Sequence, residues 1–102
     1  MTPKIKAADL PDFDMAEYLK TDEDVANYLT LVLAENDPAE LTHALGTIAR
    51  ARGMTEVARE AGVTRVALYK SLSEEGDPRL TTLLGVMRAL GVKLSAEIKP
   101  AA

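Results

Sequence analysis

Apolar side chains recur at intervals of three and four residues along most of the chain, which is the spacing of one α-helical face. Three long segments follow this pattern and are predicted to be helices that bury that face. The apolar positions are Val25, Tyr28, Leu29 and Val32; Leu41, Ala44, Leu45 and Ile48; and Leu80, Leu83, Leu84, Met87 and Leu90. Two shorter helices are predicted over residues 55–61 and 64–72. The pattern therefore indicates an all-α protein over most of its length.

Residues that favour helix ends stand at the boundaries of the long segments. Thr21 followed by Asp24 resembles a capping box, in which a side-chain oxygen accepts a hydrogen bond from a free backbone N–H. Asp37 is a good N-cap residue, and Pro38 suits the first helical position. Gly53 is expected to end the second long helix, because glycine adopts left-handed conformations at low cost.

The period changes to two after Gly91, where Val92, Leu94, Ala96 and Ile98 alternate with polar residues. This alternation predicts a short, half-buried β-strand over residues 92–99. A single strand needs a partner for its backbone groups, and there are three candidates: residues 4–6, a second copy of the chain, or a different protein. The alternative is a flexible tail whose alternation is accidental.

The chain is predicted to be one domain with appended segments, because 102 residues rarely divide into two cores. A flexible N-terminal segment is expected over residues 1–12, which show no clear period. Acidic N-terminal helices are expected over residues 13–36, the first beginning at Asp14, a good N-cap residue. The main helical domain is expected over residues 37–91, followed by the C-terminal strand.

Composition excludes several classes of function. The chain has no cysteine and one histidine, His43, so disulfides, thiolate catalysis, Cys-ligated zinc and a multi-histidine metal site are excluded. No catalytic triad and no Walker-type phosphate loop can be assembled, so neither an enzyme nor a cofactor is expected. The sequence lacks an apolar run of about 18 residues and a secretory h-region, so a cytoplasmic protein without membrane contact is expected.

Charge is divided unevenly along the chain. Residues 1–49 contain three basic and ten acidic residues, a net charge of −7, whereas residues 50–102 contain nine basic and six acidic residues, a net charge of +3. This division indicates two partners of opposite charge, a basic one for the first half and an acidic one for the second. The alternative for the first half is an acidic face that only contacts solvent.

Residues 54–72 have the pattern of two short helices joined by a tight turn. Ala58 is small where the helices would cross, and Gly62 tolerates the positive φ that the turn needs. Thr64 can cap the second helix. Four further positions are apolar where a helix-turn-helix buries side chains: Val57, Ala61, Val63 and Leu68. The unit therefore predicts a second helix that enters the major groove of DNA, and its alternative role is packing alone.

The second helix of this unit would present Arg65, Val66 and Tyr69 outward. Arg65 is expected to donate hydrogen bonds to guanine O6 and N7, the most common base-specific contact of arginine. Val66 and Tyr69 are expected to contact a thymine methyl group or the sugar. These three residues are the candidates for reading base sequence.

Five further residues are candidates for contacts to the DNA backbone, which position a protein without reading sequence. They are Thr55, Thr64, Lys70, Ser73 and Arg79. Thr55 stands at the start of the first short helix, where its hydroxyl and the nearby N–H groups suit a phosphate. For Lys70 and Arg79, the alternative role is to keep the surface soluble.

Residues 45–94 resemble the Cro/C1-type (Xre-like) helix-turn-helix family. A second, narrower resemblance rests on six motifs: Phe13-Asp14, Glu17-Tyr18-Leu19, Asp37-Pro38, Ile48-Ala49-Arg50-Ala51-Arg52-Gly53-Met54, Leu68-Tyr69-Lys70-Ser71-Leu72-Ser73 and Gly76-Asp77-Pro78. With these motifs, the chain is similar over residues 12–98 to HigA-like antitoxins, which are addiction-module antidote proteins.

The resemblance implies an all-α, lambda-repressor-like helix-turn-helix domain over residues 37–91, with extra N-terminal helices and the short C-terminal β-strand. It implies a type II antitoxin that neutralises a small basic RelE/ParE-like (HigB-type) toxin and represses its own operon as a homodimer on operator DNA. The acidic half suits a basic toxin and the basic half suits DNA phosphate. The alternative is an Xre-like regulator or a protein-interaction module without a toxin partner.

Overall fold

The computed structural model describes residues 17–100, which form five α-helices. They are α1 (Asp22–Ala34), α2 (Pro38–Arg52), α3 (Met54–Ala61), α4 (Arg65–Ser71) and α5 (Leu80–Ala89). The all-helical architecture is confirmed for this part of the chain, which contains no strand. The flexible segment predicted over residues 1–12 and the helix start predicted at Asp14 lie outside the described residues.

The predicted capping residues bind free N–H groups at the first two helix starts. Thr21 Oγ1 accepts a hydrogen bond from the Asp24 N–H at 3.0 Å, and Asp37 Oδ1 accepts one from the Ala39 N–H at 3.0 Å. Gly53 separates α2 from α3 with a φ of 109°, a conformation that favours glycine. Local signals in the sequence therefore set the boundaries of α1 and α2.

The inner faces of the helices share one apolar core. The predicted face of α1 is buried, and the other helices add side chains to the same cluster. The largest side chains with less than 2 % of their surface exposed are Leu45, Ile48, Leu68, Leu90, Val25, Val32 and Val86. Each such side chain contributes about 1.5–3 kcal/mol, more than the roughly 0–1 kcal/mol of an exposed ion pair. Burial of this core therefore dominates the stability of the fold.

Helix α3 packs against α2, α4 and α5, and α1 packs against α2. The approach of α3 to α5 is close at Gly85, where a Cβ atom would lie 3.0 Å from the Ala61 carbonyl oxygen and 3.2 Å from the Ala61 Cα. Because glycine has no side chain, the two backbones can meet at this point. This contact is one of those that place α3, and α4 beyond it.

The same contact changes which side of α5 is buried. Leu80 and Leu84 belong to the predicted apolar face, but they are 65 % and 42 % exposed. Met87 and Leu90 of the predicted face are buried, as are Gly85 and Val86. The prediction for Leu80 and Leu84 was wrong because the close approach at Gly85 rotates the buried face of α5 toward Gly85 and Val86 and away from these two leucines.

The β-strand predicted over residues 92–99 is not present. Residues 92–100 have no regular secondary structure. Of their backbone groups, only the Val92 N–H makes a hydrogen bond to another described residue, and it donates to the Met87 carbonyl at 3.0 Å. Leu94 is 42 % and Ile98 is 97 % exposed. A strand needs a neighbour that pairs its backbone groups, and no segment within residues 17–100 pairs with this one. The alternating pattern does not by itself supply that neighbour.

Gly85→Val should lower the free energy of unfolding by about 1–3 kcal/mol, because the added carbons meet backbone atoms of Ala61 that cannot move aside. Urea denaturation followed by circular dichroism measures the change. Thr81→Val, at an exposed position of the same helix, is the control and should change the value by less than about 0.5 kcal/mol. A Gly85→Val variant as stable as the parent would contradict the close packing of α3 and α5.

Candidate nucleic-acid interface

Helices α3 and α4 are joined by a tight turn of three residues. Gly62 has a φ of 76°, the left-handed conformation predicted for it. The Gly62 N–H donates to the Arg59 carbonyl at 3.2 Å, and the Val63 N–H donates to the Ala58 carbonyl at 3.0 Å. These two bonds form a Schellman motif, which satisfies carbonyls that the helix leaves free at its end. The turn therefore has a defined geometry that fixes where α4 begins.

Helix α4 is capped and anchored by few contacts. Thr64 Oγ1 accepts a hydrogen bond from the Ala67 N–H at 3.0 Å, as the sequence predicted for a cap. Leu68 is fully buried, and it is the only buried residue of α4. Most of the surface of α4 is therefore available to a partner.

All eight residues predicted to contact DNA are exposed: Thr55, Thr64, Arg65, Val66, Tyr69, Lys70, Ser73 and Arg79. Val66 is 78 % exposed and Tyr69 is 42 % exposed, and their spacing of three places them on neighbouring positions of the helix surface. Arg65 and Lys70 flank them in sequence. The exposed side of α4 therefore combines apolar contact area with two positive charges.

The structure brings three of the predicted residues into direct contact. Arg65 Nη1 donates a hydrogen bond to Thr55 Oγ1 at 3.2 Å, and the Arg65 Cζ lies 5.6 Å from the centroid of the Tyr69 ring. The first contact joins α4 to the start of α3, and the second lies within α4. Sequence reasoning missed both contacts, although the spacing of four between Arg65 and Tyr69 signals neighbours on a helix. No sequence signal indicated the contact between helices.

Ser73 and Arg79 are placed differently from the Arg65 contacts. Ser73 Oγ donates to the Lys70 carbonyl at 2.8 Å, so it satisfies a backbone group at the end of α4. Arg79 is the residue that precedes α5, and its side chain makes no hydrogen bond or ion pair within the described chain. The exposed side chains of Ser73 and Arg79 remain predicted contacts to the DNA backbone.

The positive charge of this region comes from residues that are not neutralised by a carboxylate. The ion pairs between described residues are Lys20–Glu17, Arg52–Asp22 and Arg59–Glu56. The hydrogen bond from Arg59 to Glu56 raises the pKa of Arg59. Arg65 and Lys70 belong to none of these pairs, so their charges are available to an anion.

A second surface lies along α1 and carries the opposite charge. The first turn of α1 contains three carboxylates, Asp22, Glu23 and Asp24. A groove of about 650 Å³ separates α1 from the C-terminal residues 91–100. A smaller apolar groove of about 220 Å³, between the end of α1 and the start of α2, shares Leu33 and Asn36 with it. The acidic half of the chain therefore presents recessed, partly apolar surface beside carboxylates.

Residues 17–100 contain no cluster of three or more His, Cys, Asp or Glu side chains that could hold a metal ion. Among the same residues, no helix combines the length and the apolar character that crossing a membrane requires.

Comparison with known proteins identifies a family. The family model described as "Probable addiction module antidote protein" matches residues 9–98. An uncharacterized protein of Haemophilus influenzae is 43 % identical over 88 residues, which are 86 % of this chain and 91 % of that protein. No solved structure matches the chain. With nearly its whole length matched, the chain belongs to the family of probable addiction module antidote proteins.

Proposed function

We propose that the chain is the antitoxin of a type II toxin–antitoxin module in the cytoplasm. In this proposal it neutralises a small basic RelE/ParE-like (HigB-type) toxin and binds operator DNA as a homodimer, which represses its own transcription. Both activities are binding, and no catalytic step is involved. Membership of an antidote family implies the toxin partner.

The observation that carries the DNA-binding part is the exposed side of α4. Helix α4 has seven residues, of which only Leu68 is buried. It presents Arg65, Val66, Tyr69 and Lys70 to solvent. The turn at Gly62 and the cap at Thr64 give this helix a defined start, as a recognition helix of a helix-turn-helix requires. The unpaired charges of Arg65 and Lys70 suit base edges and phosphate.

The small size of this interface supports a dimer. One short helix offers few base contacts, whereas two copies related by a twofold axis place their recognition helices about 34 Å apart on one face of DNA. The proposal therefore includes a palindromic operator.

Charge supports the toxin-binding part. The carboxylates at the start of α1 lie on the half of the chain with a net charge of −7, and a basic toxin is attracted to such a surface. The grooves beside α1 provide apolar surface in the same region. We therefore assign toxin binding to the N-terminal helices, away from α4. An Xre-like regulator without a toxin would lack this second activity.

Arg65→Ala should weaken binding to DNA from upstream of the gene by about 1–3 kcal/mol and relax sequence preference at one base pair, because the bidentate contact to guanine is lost. Fluorescence anisotropy with the upstream duplex and a scrambled duplex, at two salt concentrations, measures both effects.

Lys70→Ala is the matched control, since it removes one positive charge from the same helix. It should weaken binding to both duplexes similarly and reduce the salt slope by about one. If Arg65→Ala changed neither affinity nor preference, the assignment of α4 as the recognition helix would be wrong.

Glu23→Lys should slow association with the small basic protein encoded in the same operon by about two- to fivefold at low salt, because it reverses an exposed charge on α1. Stopped-flow measurement gives the association rate constant. Glu75→Lys, which makes the same charge change in the exposed loop before α5, is the control and should have a smaller effect. Equal effects of the two substitutions would count against toxin binding at the N-terminal helices.

A further inference from the structure

On the proposed DNA-binding surface, the guanidinium of Arg65 makes two contacts with other side chains of the protein. Thr55 Oγ1, on α3, accepts its Nη1–H at 3.2 Å, and the Tyr69 ring, on α4, lies 5.6 Å from its Cζ. Arg65, Thr55 and Tyr69 are all exposed, so these contacts do not arise from burial in the core. The remaining basic residue of α4, Lys70, has no such contacts on its side chain within the described chain.

We propose that Thr55 and Tyr69 are positioning residues, which hold the Arg65 guanidinium in place for base recognition rather than contacting DNA mainly by themselves. This inference rests on the DNA-binding part of the proposed function and deepens it. It replaces two expected roles, a phosphate contact for Thr55 and a contact to a thymine methyl group or the sugar for Tyr69, with a shared role that acts through Arg65.

The chemistry of the guanidinium allows both contacts and leaves it free to bind a base. A guanidinium has five N–H donors in one plane, and the hydrogen bond to Thr55 uses one of them. The Tyr69 ring attracts the cation without using any N–H donor. A bidentate contact to guanine needs two donors. The two contacts therefore fix the side chain and leave enough donors for recognition.

Holding the Arg65 side chain in place before DNA binds reduces the conformational entropy that is lost on binding. A free arginine side chain has many rotamers, and fixing them during association reduces affinity. A planar group must also present its edge to the base at a defined angle, so orientation affects discrimination between bases. Loss of either positioning contact should therefore reduce sequence preference more than it reduces attraction to phosphate.

The alternative is that the same contacts only staple α3 to α4 and stabilise the fold. A second alternative is that Tyr69 reads DNA itself. A staple alone would lower the stability of the fold and leave the sequence preference of the folded protein unchanged, so the preference itself separates the first alternative from the proposal. A double-mutant cycle separates the second, because a residue that acts through Arg65 has no further effect once Arg65 is removed.

The experiment measures the ratio of dissociation constants for a scrambled duplex and for the duplex from upstream of the gene. Tyr69→Leu and Thr55→Val should each lower this ratio by about two- to fivefold in the parent chain, with the salt slope unchanged. In the Arg65→Ala chain, the same two substitutions should change the ratio by less than about twofold. Tyr69→Phe keeps the ring and Thr55→Ser keeps the hydroxyl, so both conservative variants should retain the parent ratio.

Three results would overturn the inference. Tyr69→Leu could lower the ratio equally with and without Arg65, which would make Tyr69 a direct DNA contact. Either of the two non-conservative substitutions could leave the parent ratio unchanged. A parent ratio of one would refute the DNA-binding part of the proposed function, and this result is recognised before any substitution is made.

A measurement without DNA tests the contacts on their own. The NMR resonance of the Arg65 Nε–H in the free protein should shift in Tyr69→Leu, because the ring current is removed, and should stay near its parent position in Tyr69→Phe. An Arg65 resonance that does not respond to loss of the ring would overturn the positioning role of Tyr69, and thermal unfolding of each variant confirms that it remains folded.

Discussion

The close approach of α3 and α5 at Gly85 is the contact on which the rest of the structure depends. Its place is set by a missing side chain, since any Cβ at Gly85 would meet the Ala61 backbone. Ala61 is the last residue of α3, directly before the Gly62 turn that leads into α4. Only the three-residue turn therefore separates the contact at Gly85 from α4, the exposed helix to which we assign DNA recognition.

Sequence reasoning recovered the features that depend on neighbours along the chain. The caps at Thr21, Asp37 and Thr64 and the left-handed turn at Gly62 are present, because each is decided within a few residues. The buried face of α1 also followed from its periodicity. The eight candidate contacts are all exposed, as expected, but exposure alone does not establish their roles.

The features that depend on distant neighbours were not recovered. The outward position of Leu80 follows from a contact between α5 and α3, which periodicity within α5 does not encode. The segment after Gly91 has the alternation of a strand but no neighbour to pair with in residues 17–100. The hydrogen bond between Thr55 and Arg65 joins positions ten residues apart on two helices, and only the three-dimensional arrangement reveals it.

The anchoring of α4 through Leu68 also affects how this family can diversify. Substitutions at the exposed positions of α4 leave the core intact, so the recognition surface that we propose can change its DNA target at little cost in folding stability. Arg65 is an exception, since its contacts to Thr55 and Tyr69 tie three positions together. On the recognition helix that we propose, the other exposed positions can change one at a time, whereas a change at Arg65 also removes the contact partner of Thr55 and Tyr69.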